Sequence, residues 1–418
     1  MSTQSNPESI VIVGGGLAGA KTAAALREQG FGGALTLFAA EAHLPYERPP
    51  LSKGCLTGSA TFDDAVVYPR EWYTEHDVDL RLGTRVESIN VRAHEVRADD
   101  GSTTAYDRLV LATGAVPRTL PVAGADAPGV LYLRTREDAD RIRAACGAGR
   151  RLVVIGGGWI GLEVAAGARA GGTDVTVIEA AELPLLAVLG PTLARVFADL
   201  HVEKGVTLCL SARLAEITTD GDRATGVRLE GGETIPADTV VIGIGVAPDV
   251  SLAAAAGLEV DNGVLVDASL RTNDPDVYAI GDIANVDHPV LKERIRVEHW
   301  ATALNQPAIA AAAILGHDAQ WSELPYFYTD QFDLGMEYIG HVPHGTPDDV
   351  VIRGDLAGRE FIAFWLAPDG RVLAGMNVNI WDVVDDVKAL ILGGKPVDRE
   401  QLADPSTELA SLLREEAS

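Results

Sequence analysis

The sequence predicts an α/β protein in which two related strand–turn–helix units are followed by an α+β region. First, apolar residues 10–13 lead directly into a glycine-rich turn at residues 14–19. Second, residues 152–155 and 156–161 repeat this arrangement. Third, the segment from residue 326 onward has aromatic, strand-like stretches but no further glycine-rich turn. Because each turn also opens a helix-like stretch, both units are expected to form parallel sheets.

Both turns have the spacing G-x-G-x-x-G, which is formed by Gly14, Gly16 and Gly19 in the first turn and by Gly156, Gly158 and Gly161 in the second. The glycines of this motif make a tight turn, let the backbone approach a pyrophosphate, and let helix and strand pack closely. The phosphates then lie at the positive end of the helix. Two Rossmann-like domains that each bind an adenine dinucleotide are therefore predicted. An ordinary tight turn would explain one such motif better than two copies with the same flanking elements.

An acidic residue follows the second strand of each unit, where its carboxylate can accept hydrogen bonds from a ribose. These residues are Glu41 and Glu179, at close to the expected distance after the glycine turns. Glu179 can accept from both ribose hydroxyls of NAD but would repel a 2′-phosphate. Its neighbours Ala180, Ala181 and Glu182 include no arginine that could bind such a phosphate. NADH is therefore expected rather than NADPH.

The order of strands along the chain predicts that the first domain is interrupted by the second. Strand-like residues 264–267 and 277–282 follow the second unit and would complete the sheet of the first. The predicted segments are 1–116 (first part of the first dinucleotide-binding domain), 117–246 (second dinucleotide-binding domain), 247–325 (second part of the first dinucleotide-binding domain) and 326–418 (C-terminal α+β domain).

Composition excludes several classes of function. The chain has 418 residues, of which 47% are hydrophobic and 22% charged, enough for two or three folded domains. Its formal net charge of −26 disfavours nucleic acids and anionic membranes as partners. No apolar run approaches the length of a membrane span, and the polar start at residues 1–8 does not resemble an export signal.

The three cysteines, Cys55, Cys146 and Cys209, include no C-x-x-C pair, so neither a redox disulfide nor a bound metal is expected. This cysteine usage suits a reducing cytoplasm. Cys55 follows Lys53 closely and could lie near a cofactor, although a lone cysteine is more often a small buried hydrophobic residue.

Further segments add a family resemblance. Together with Ala112, Thr113 and Gly114 and with residues 272–282, the two glycine turns resemble the pyridine-nucleotide disulfide oxidoreductase superfamily. Residues 44–53, 297–300 and 325–333 narrow this resemblance. They look like those of the FAD-dependent NADH:ferredoxin and rubredoxin reductases of cytochrome P450 or Rieske oxygenase systems, a group also similar to apoptosis-inducing factor. The likeness covers about residues 9 to 395.

The resemblance implies an oxidoreductase, a flavoprotein with FAD on the first glycine turn and NADH on the second. Electrons would pass from NADH through the flavin to a small [2Fe–2S] ferredoxin, and from there to a cytochrome P450 or Rieske oxygenase. Lys292, Arg294 and Arg296 are one candidate docking cluster for the ferredoxin, and an ordinary solvated face is the other interpretation.

The resemblance also assigns roles to individual residues. Lys53 and Glu163 are expected to be the catalytic ion pair near the reactive edge of the flavin, with Glu163 in the first turn of the second glycine helix. The other interpretation is a surface helix charge and an unrelated loop lysine. Asp282 is expected to bind the ribityl chain of the flavin, or else to cap a helix that begins near Ile283.

Other expected cofactor contacts are Arg48, Pro49 and Thr113 beside the flavin, Trp300 and Tyr328 flanking its ring, and Gly114, Gly245, Gly281, Glu298 and His299. His299 is not expected to act as an acid, because hydride transfer to a flavin needs no side-chain acid. Two positions depart from the family pattern: Pro307 stands where glycine is common, and Tyr328 stands where tryptophan is frequent.

Two alternative functions stay open at this stage. One is an NADH oxidase or peroxidase that reduces oxygen or a small molecule directly, although the lack of a paired disulfide motif weighs against several such enzymes. The other is a redox-responsive interaction protein in which NADH binding alters association.

Overall fold

A computed structural model of the chain describes residues 7–343 and 349–413. The chain divides into two compact units, one with residues 1–49, 62–116 and 246–323 and the other with residues 50–61, 117–245 and 324–418. The predicted NAD-binding segment and the C-terminal segment thus belong to the same compact unit. The predicted division of the chain into four segments stays a prediction. The expected absence of an export signal rests largely on residues 1–6, which lie outside the described residues.

Within the described residues, the first unit is built on a five-stranded parallel sheet. In spatial order its strands are Val277–Ala279, Arg108–Leu111, Ser9–Val13, Ala34–Ala39 and Val78–Leu82. Strands of a parallel sheet are covered on both faces, which explains the runs of valine, isoleucine and leucine. Ile12, Leu37 and Leu109 are completely buried and mark the centre of this core.

Helices and two small sheets surround this main sheet. The helices are Leu17–Glu28, Arg70–Glu75, Ser251–Ala255 and Trp300–Ile314, and the first and last of them pack against each other. One small sheet contains strands Val86–Asn90, Glu95–Ala98 and Thr103–Ala105, and the other contains Val264–Val266, Ala284–His288 and Glu293–Ile295. The short strands Ala115–Pro117 and Val246–Pro248 lie where the chain leaves and re-enters the unit.

The prediction that residues 264–267 complete the main sheet is wrong. Strand Val264–Val266 pairs with Ala284–His288 instead, and only Val277–Ala279 joins the main sheet. The 3-10 turn Gly281–Ile283 leads directly into strand Ala284–His288. This strand is the one that pairs with Val264–Val266. A short apolar run identifies a strand but does not specify its partner.

The described part of the second unit contains another five-stranded parallel sheet. Its strands, in spatial order, are Thr207–Cys209, Asp174–Ile178, Arg151–Ile155, Thr239–Ile242 and Val130–Leu131. Antiparallel strands Leu214–Asp220, Arg223–Leu229 and Thr234–Pro236 form a smaller sheet. The helices here are Gly54–Thr57, Arg136–Ala145, Trp159–Ala170 and Leu186–Glu203, and the last is interrupted where Gly190 precedes Pro191.

The C-terminal segment of the second unit adds an antiparallel sheet. In spatial order its strands are Tyr326–Gln331, Leu334–Gly340, Val372–Val378, Glu360–Leu366 and Val350–Asp355. Helices Val384–Gly393 and Arg399–Ala403 and the 3-10 turn Leu409–Leu413 follow. Leu402 and Leu409 are buried, so the described part of the tail packs on the unit through these two side chains.

One hydrophobic cluster of the second unit joins two helices of its nucleotide-binding segment to the antiparallel sheet. Leu162 on the second glycine helix and Phe197 on the interrupted helix pack in the same cluster as Met336, Phe361 and Met376 of the antiparallel sheet.

The predicted fold class, two Rossmann-like arrangements and a C-terminal α+β region, is confirmed by these sheets.

The first residue of each glycine turn has a conformation that side chains rarely adopt. Gly14 has φ of +125°, and a Cβ there would lie 2.1 Å from the carbonyl oxygen of Ala112. Gly156 has φ of +103°, and a Cβ would lie 2.5 Å from the carbonyl oxygen of Gly243. Both contacts are with backbone atoms of the neighbouring strand end, so any larger residue must displace the sheet.

We predict that Gly14→Ala lowers the free energy of unfolding of the apoprotein by about 2–4 kcal/mol, because the new methyl group meets backbone at an unfavourable φ. Gly16→Ala is the matched control, since a Cβ at Gly16 meets no atom within 4 Å and its φ is −90°. Urea unfolding of the two variants measures the difference. Equal stabilities would contradict this account of the turn.

Candidate active site

The helices that follow the glycine turns begin without side-chain caps. Gly16 and Gly158 are the N-cap residues, neither provides a capping side chain, and neither helix has an acidic residue in its first turn. A Cβ at either glycine would meet no atom within 4 Å, so the space in front of both helices is open. Uncapped N–H groups beside open space fit a pyrophosphate, which would accept hydrogen bonds there and interact favourably with the helix dipole.

The third glycine of each turn allows the helix to approach the backbone of the turn closely. A Cβ at Gly19 would lie 2.0 Å from the carbonyl oxygen of Gly14, and one at Gly161 would lie 2.1 Å from that of Gly156. Each helix therefore passes directly over its own turn, which only glycine allows. The structure places all six predicted glycines in the arrangement that the motif requires.

Glu41 lies after strand Ala34–Ala39 and is held by two neighbours. Its carboxylate accepts hydrogen bonds from the Tyr46 hydroxyl at 2.5 Å and from Nη2 of Arg48 at 3.1 Å. Burial acts against the charge of Arg48, but Tyr46, Glu41 and, last, Asp282 raise the pKa of this guanidinium. Arg48 is therefore a fixed cation beside the acid that is predicted to bind the ribose. Tyr46 was not predicted as a site residue.

Asp282 lies inside the 3-10 turn Gly281–Ile283, which continues as strand Ala284–His288. The interpretation of Asp282 as the cap of a helix near Ile283 is therefore wrong, because no helix begins there. The N–H of Gly281 donates to the buried Oε1 of Gln306 at 2.8 Å, and this bond fixes the turn. Gln306 is a further positioning residue that sequence reasoning missed.

Thr113 follows strand Arg108–Leu111, and its hydroxyl donates to the carbonyl oxygen of Asp249 at 2.7 Å. Gly114 and Gly245 both have positive φ, so they occupy backbone conformations that favour glycine. Pro49 begins the 3-10 turn Pro49–Ser52. Their predicted contacts with a cofactor stay predictions.

Glu179 follows the second strand of the second unit. One carboxylate oxygen accepts from the N–H of Gly157 at 2.7 Å, and the other accepts from the N–H of Ala181 at 2.8 Å. The carboxylate is therefore fixed beside the second glycine turn. Each oxygen has a second lone pair that a ribose hydroxyl can use.

Lys53 and Glu163 form an ion pair, with Nζ of Lys53 2.6 Å from Oε1 of Glu163. The side chain of Glu163 is only 4% exposed, so the interpretation of an unpaired surface charge is wrong. Glu163 lies in the second turn of helix Trp159–Ala170, not in the first as expected, because the helix begins at Trp159. The ammonium also lies 5.3 Å from the centre of the Tyr328 ring. Contact of this pair with the flavin stays a prediction.

Two hydroxyl groups complete the surroundings of Glu163. Ser52 donates to Oε2 at 2.5 Å, and Thr329 donates to Oε1 at 2.6 Å. With Lys53, three donors stabilise a buried carboxylate that would otherwise be very unfavourable. Sequence reasoning missed both hydroxyls. Thr329 gave a weak signal, since it alternates with Gln331 as a polar pair on a strand whose inward face is buried.

The segment before helix Trp300–Ile314 is held by hydrogen bonds. His299 is the N-cap, and its Nδ1 accepts from the N–H of Ala301 at 3.3 Å. The expectation that His299 does not act as an acid stays a prediction. Arg296 forms an ion pair with Glu298. Trp300 is the first residue of the helix.

The predicted basic docking cluster is exposed at Lys292 and Arg294, and ferredoxin docking there stays a prediction. Arg296 donates to the carbonyl oxygen of Asp282 and to the Asn262 side chain, and its own side chain is 8% exposed. Arg294 donates to the carbonyl oxygens of Val266 and Asn285. Both arginines therefore donate hydrogen bonds to backbone carbonyl oxygens of the first unit. The basic charge pattern of the sequence did not reveal these bonds.

The predicted site residues are divided between the two units. The first unit contains Glu41, Arg48, Pro49, Thr113, Asp282 and Trp300, and the second contains Lys53, Glu163, Glu179 and Tyr328. Cys55 is buried in helix Gly54–Thr57, and the described residues contain no disulfide. Among those residues, no group of three potential ligands could hold a metal ion. None of their helices is long and apolar enough to cross a membrane.

Comparisons with known proteins agree with this geometry. Residues 8–307 match the family model described as pyridine nucleotide-disulphide oxidoreductase, and residues 326–413 match the model described as reductase C-terminal. The chain is 41% identical to the ferredoxin–NAD(+) reductase component of an anthranilate 1,2-dioxygenase system from Burkholderia cepacia, over 97% of this chain and 99% of that protein.

Two solved structures are similar over almost the whole chain. The ferredoxin reductase for the CYP199A2 system of Rhodopseudomonas palustris has a TM-score of 0.93 at 37% identity, covering 97% of this chain and 100% of that one. The reductase in a covalent putidaredoxin reductase–putidaredoxin complex has the same TM-score and identity, covering 98% and 99%. The chain therefore belongs to the pyridine nucleotide-disulphide oxidoreductase family.

Proposed function

We propose that this protein is an NADH:ferredoxin oxidoreductase, a flavoprotein that carries electrons from NADH to a small [2Fe–2S] ferredoxin serving a cytochrome P450 or Rieske oxygenase. The observation that carries the proposal is the pair of open, uncapped helix N-termini at Gly16 and Gly158. This pair occurs in a chain whose similar relatives, over nearly their full length, are ferredoxin reductases. One solved relative is joined covalently to putidaredoxin, which supports a ferredoxin as electron acceptor.

FAD would be held by the first unit and NADH by the second. Gly16 and the N–H groups behind it would bind the FAD pyrophosphate, and Glu41, held by Tyr46 and Arg48, would accept from its ribose. Thr113, Asp282 and Trp300 are proposed as further contacts. When bound, FAD accepts a hydride from NADH and releases two electrons singly, which a one-electron carrier requires.

In the second unit, Gly158 would bind the NADH pyrophosphate and Glu179 its ribose hydroxyls. Because Glu179 is already fixed by two backbone N–H groups, its carboxylate cannot turn away from a 2′-phosphate without breaking them. We propose that the Lys53–Glu163 pair and Tyr328 contribute to the flavin environment. A cytoplasmic location is proposed on the basis of three cysteines that form no disulfide.

Steady-state assays separate this function from its two alternatives. We expect fast, NADH-dependent reduction of a [2Fe–2S] ferredoxin, with much slower oxygen consumption when ferredoxin is omitted. The measurement follows cytochrome c reduction through added ferredoxins. Oxygen or peroxide consumption that is fast without ferredoxin would instead favour an oxidase or peroxidase, and a long-lived reduced flavin–NAD complex with poor turnover would favour an NADH-responsive interaction protein.

The coenzyme preference tests the role of Glu179. We predict at least a tenfold preference for NADH over NADPH in kcat/KM, equivalent to about 1.4 kcal/mol. Glu179→Gln should raise the KM for NADH and reduce the preference, because it removes the charge that repels the 2′-phosphate. Glu182→Gln is the matched control, since Glu182 is an exposed neighbour. A wild-type protein that uses both coenzymes equally would contradict this role.

The flavin spectrum tests the role of Lys53. Lys53→Met should shift the absorption of bound FAD or slow its reduction by NADH by about tenfold, because the variant lacks the ammonium group. Lys204→Met is the control, as Lys204 pairs with the exposed Asp333 at 3.0 Å in the same unit. Stopped-flow reduction measures the rates. If both variants match the wild type in spectrum and rate, Lys53 has no role in the flavin environment.

A further inference from the structure

Behind the Lys53–Glu163 pair, the second unit contains a continuous chain of buried polar side chains. Oε1 of Glu163 accepts from the Thr329 hydroxyl at 2.6 Å, and Thr329 Oγ1 in turn accepts from Nε2 of Gln331 at 3.3 Å. Gln331 Oε1 lies 2.9 Å from Nε2 of His201. Thr329, Gln331 and His201 are each no more than 1% exposed. Ordinary packing of this core would use apolar side chains at all three positions.

Each link of this chain has a single possible direction. The Thr329 hydroxyl has one hydrogen, and the carboxylate of Glu163 can only accept, so that hydrogen points at Glu163. Thr329 Oγ1 must then accept from Gln331, which places the amide nitrogen of Gln331 toward Thr329 and its oxygen toward His201. The oxygen can only accept, and therefore His201 carries a hydrogen on Nε2.

The surroundings of His201 agree with this direction. Its other ring nitrogen, Nδ1, is buried and has no hydrogen-bond partner among the described residues, so a hydrogen there would be an unsatisfied buried donor. Burial lowers the pKa of His201, although the bond to Gln331 acts in the opposite direction. The ring also contacts the edge of Phe332, with 5.2 Å between ring centres. A neutral imidazole with hydrogen on Nε2 satisfies all these contacts.

We propose that His201, Gln331 and Thr329 are positioning residues that hold Glu163 as a fixed acceptor and thereby set the position of the Lys53 ammonium group. The chain begins on helix Leu186–Glu203, passes through strand Tyr326–Gln331 and ends on helix Trp159–Ala170. It therefore connects the helix that carries the predicted NADH site to the antiparallel sheet of the same unit. The consequence for flavin reduction rests on the proposed function, but the direction of the chain does not.

The first test compares a shape-conserving variant with one that keeps the hydroxyl. Thr329→Val removes the donor to Glu163, and Thr329→Ser retains it. We expect Thr329→Val to lower the limiting rate of flavin reduction by NADH by about tenfold or more, with a smaller change in the Kd for NADH. Thr329→Ser should recover most of that rate. Thr22→Val is the control, since the buried Thr22 hydroxyl donates only to the carbonyl oxygen of Ala18.

A second pair of variants keeps the test valid if Thr329→Val does not fold. His201→Gln presents an N–H group near the position of Nε2, and His201→Leu presents none. We expect His201→Gln to retain more of the reduction rate than His201→Leu. The proposal is overturned if Thr329→Ser is as slow as Thr329→Val, if Thr329→Val equals the wild type, or if the two His201 variants have the same rate.

The second test does not depend on a bound cofactor. Protein labelled with 15N-histidine is studied by NMR at pH 7, and the His201 signals are identified among the nine histidines by their loss in His201→Gln. We expect the Nε2-protonated tautomer. The Nδ1-protonated tautomer would overturn the direction of the chain. A doubly protonated ring would keep that direction but overturn the neutral state of His201. A wild type that NADH cannot reduce would contradict the proposed function and leave this NMR result standing.

Discussion

Close contact between a glycine turn and its neighbouring strand is the constraint on which the rest of this protein depends. At Gly14 and again at Gly156, positive φ and a backbone carbonyl within van der Waals range leave no space for a side chain. These contacts allow each helix to begin immediately beyond the sheet with its N–H groups uncapped. A pyrophosphate is the group that best satisfies such a helix end. Two such ends in one chain make an electron-transfer function possible.

The second unit contains both an uncapped helix end of this kind and a buried carboxylate. A charge such as that of Glu163 is tolerated in a protein interior only when donors surround it, and Lys53, Ser52 and Thr329 provide them. The donors come from the 3-10 turn, the loop after it and a strand of the antiparallel sheet, so the C-terminal segment contributes directly to the surroundings of the ion pair. This dependence gives a physical reason for the C-terminal segment to accompany the nucleotide-binding segments in one chain.

Sequence reasoning predicted the features whose spacing is local. The glycine turns, Glu41, Glu179 and the fold class follow from short motifs, because a turn and the strand before it specify one another within a few residues. It failed where the tertiary partner decides. Strand Val264–Val266 pairs with an unexpected strand, and Asp282 lies in a 3-10 turn that does not begin a helix. Ser52, Thr329, Gln331 and His201 come together only in the folded unit. The alternation of Thr329 and Gln331 along one strand is a weak local signal, and it does not identify their partners.

A crystal structure of the purified yellow protein, soaked with NAD⁺, tests the central claim most directly. The account predicts one FAD, with its pyrophosphate at the N–H groups beyond Gly16, and one NAD⁺, with its pyrophosphate at those beyond Gly158 and its adenosine ribose on Glu179. Electron density for a dinucleotide at only one of the two turns, or a nucleotide bound away from both, would contradict it.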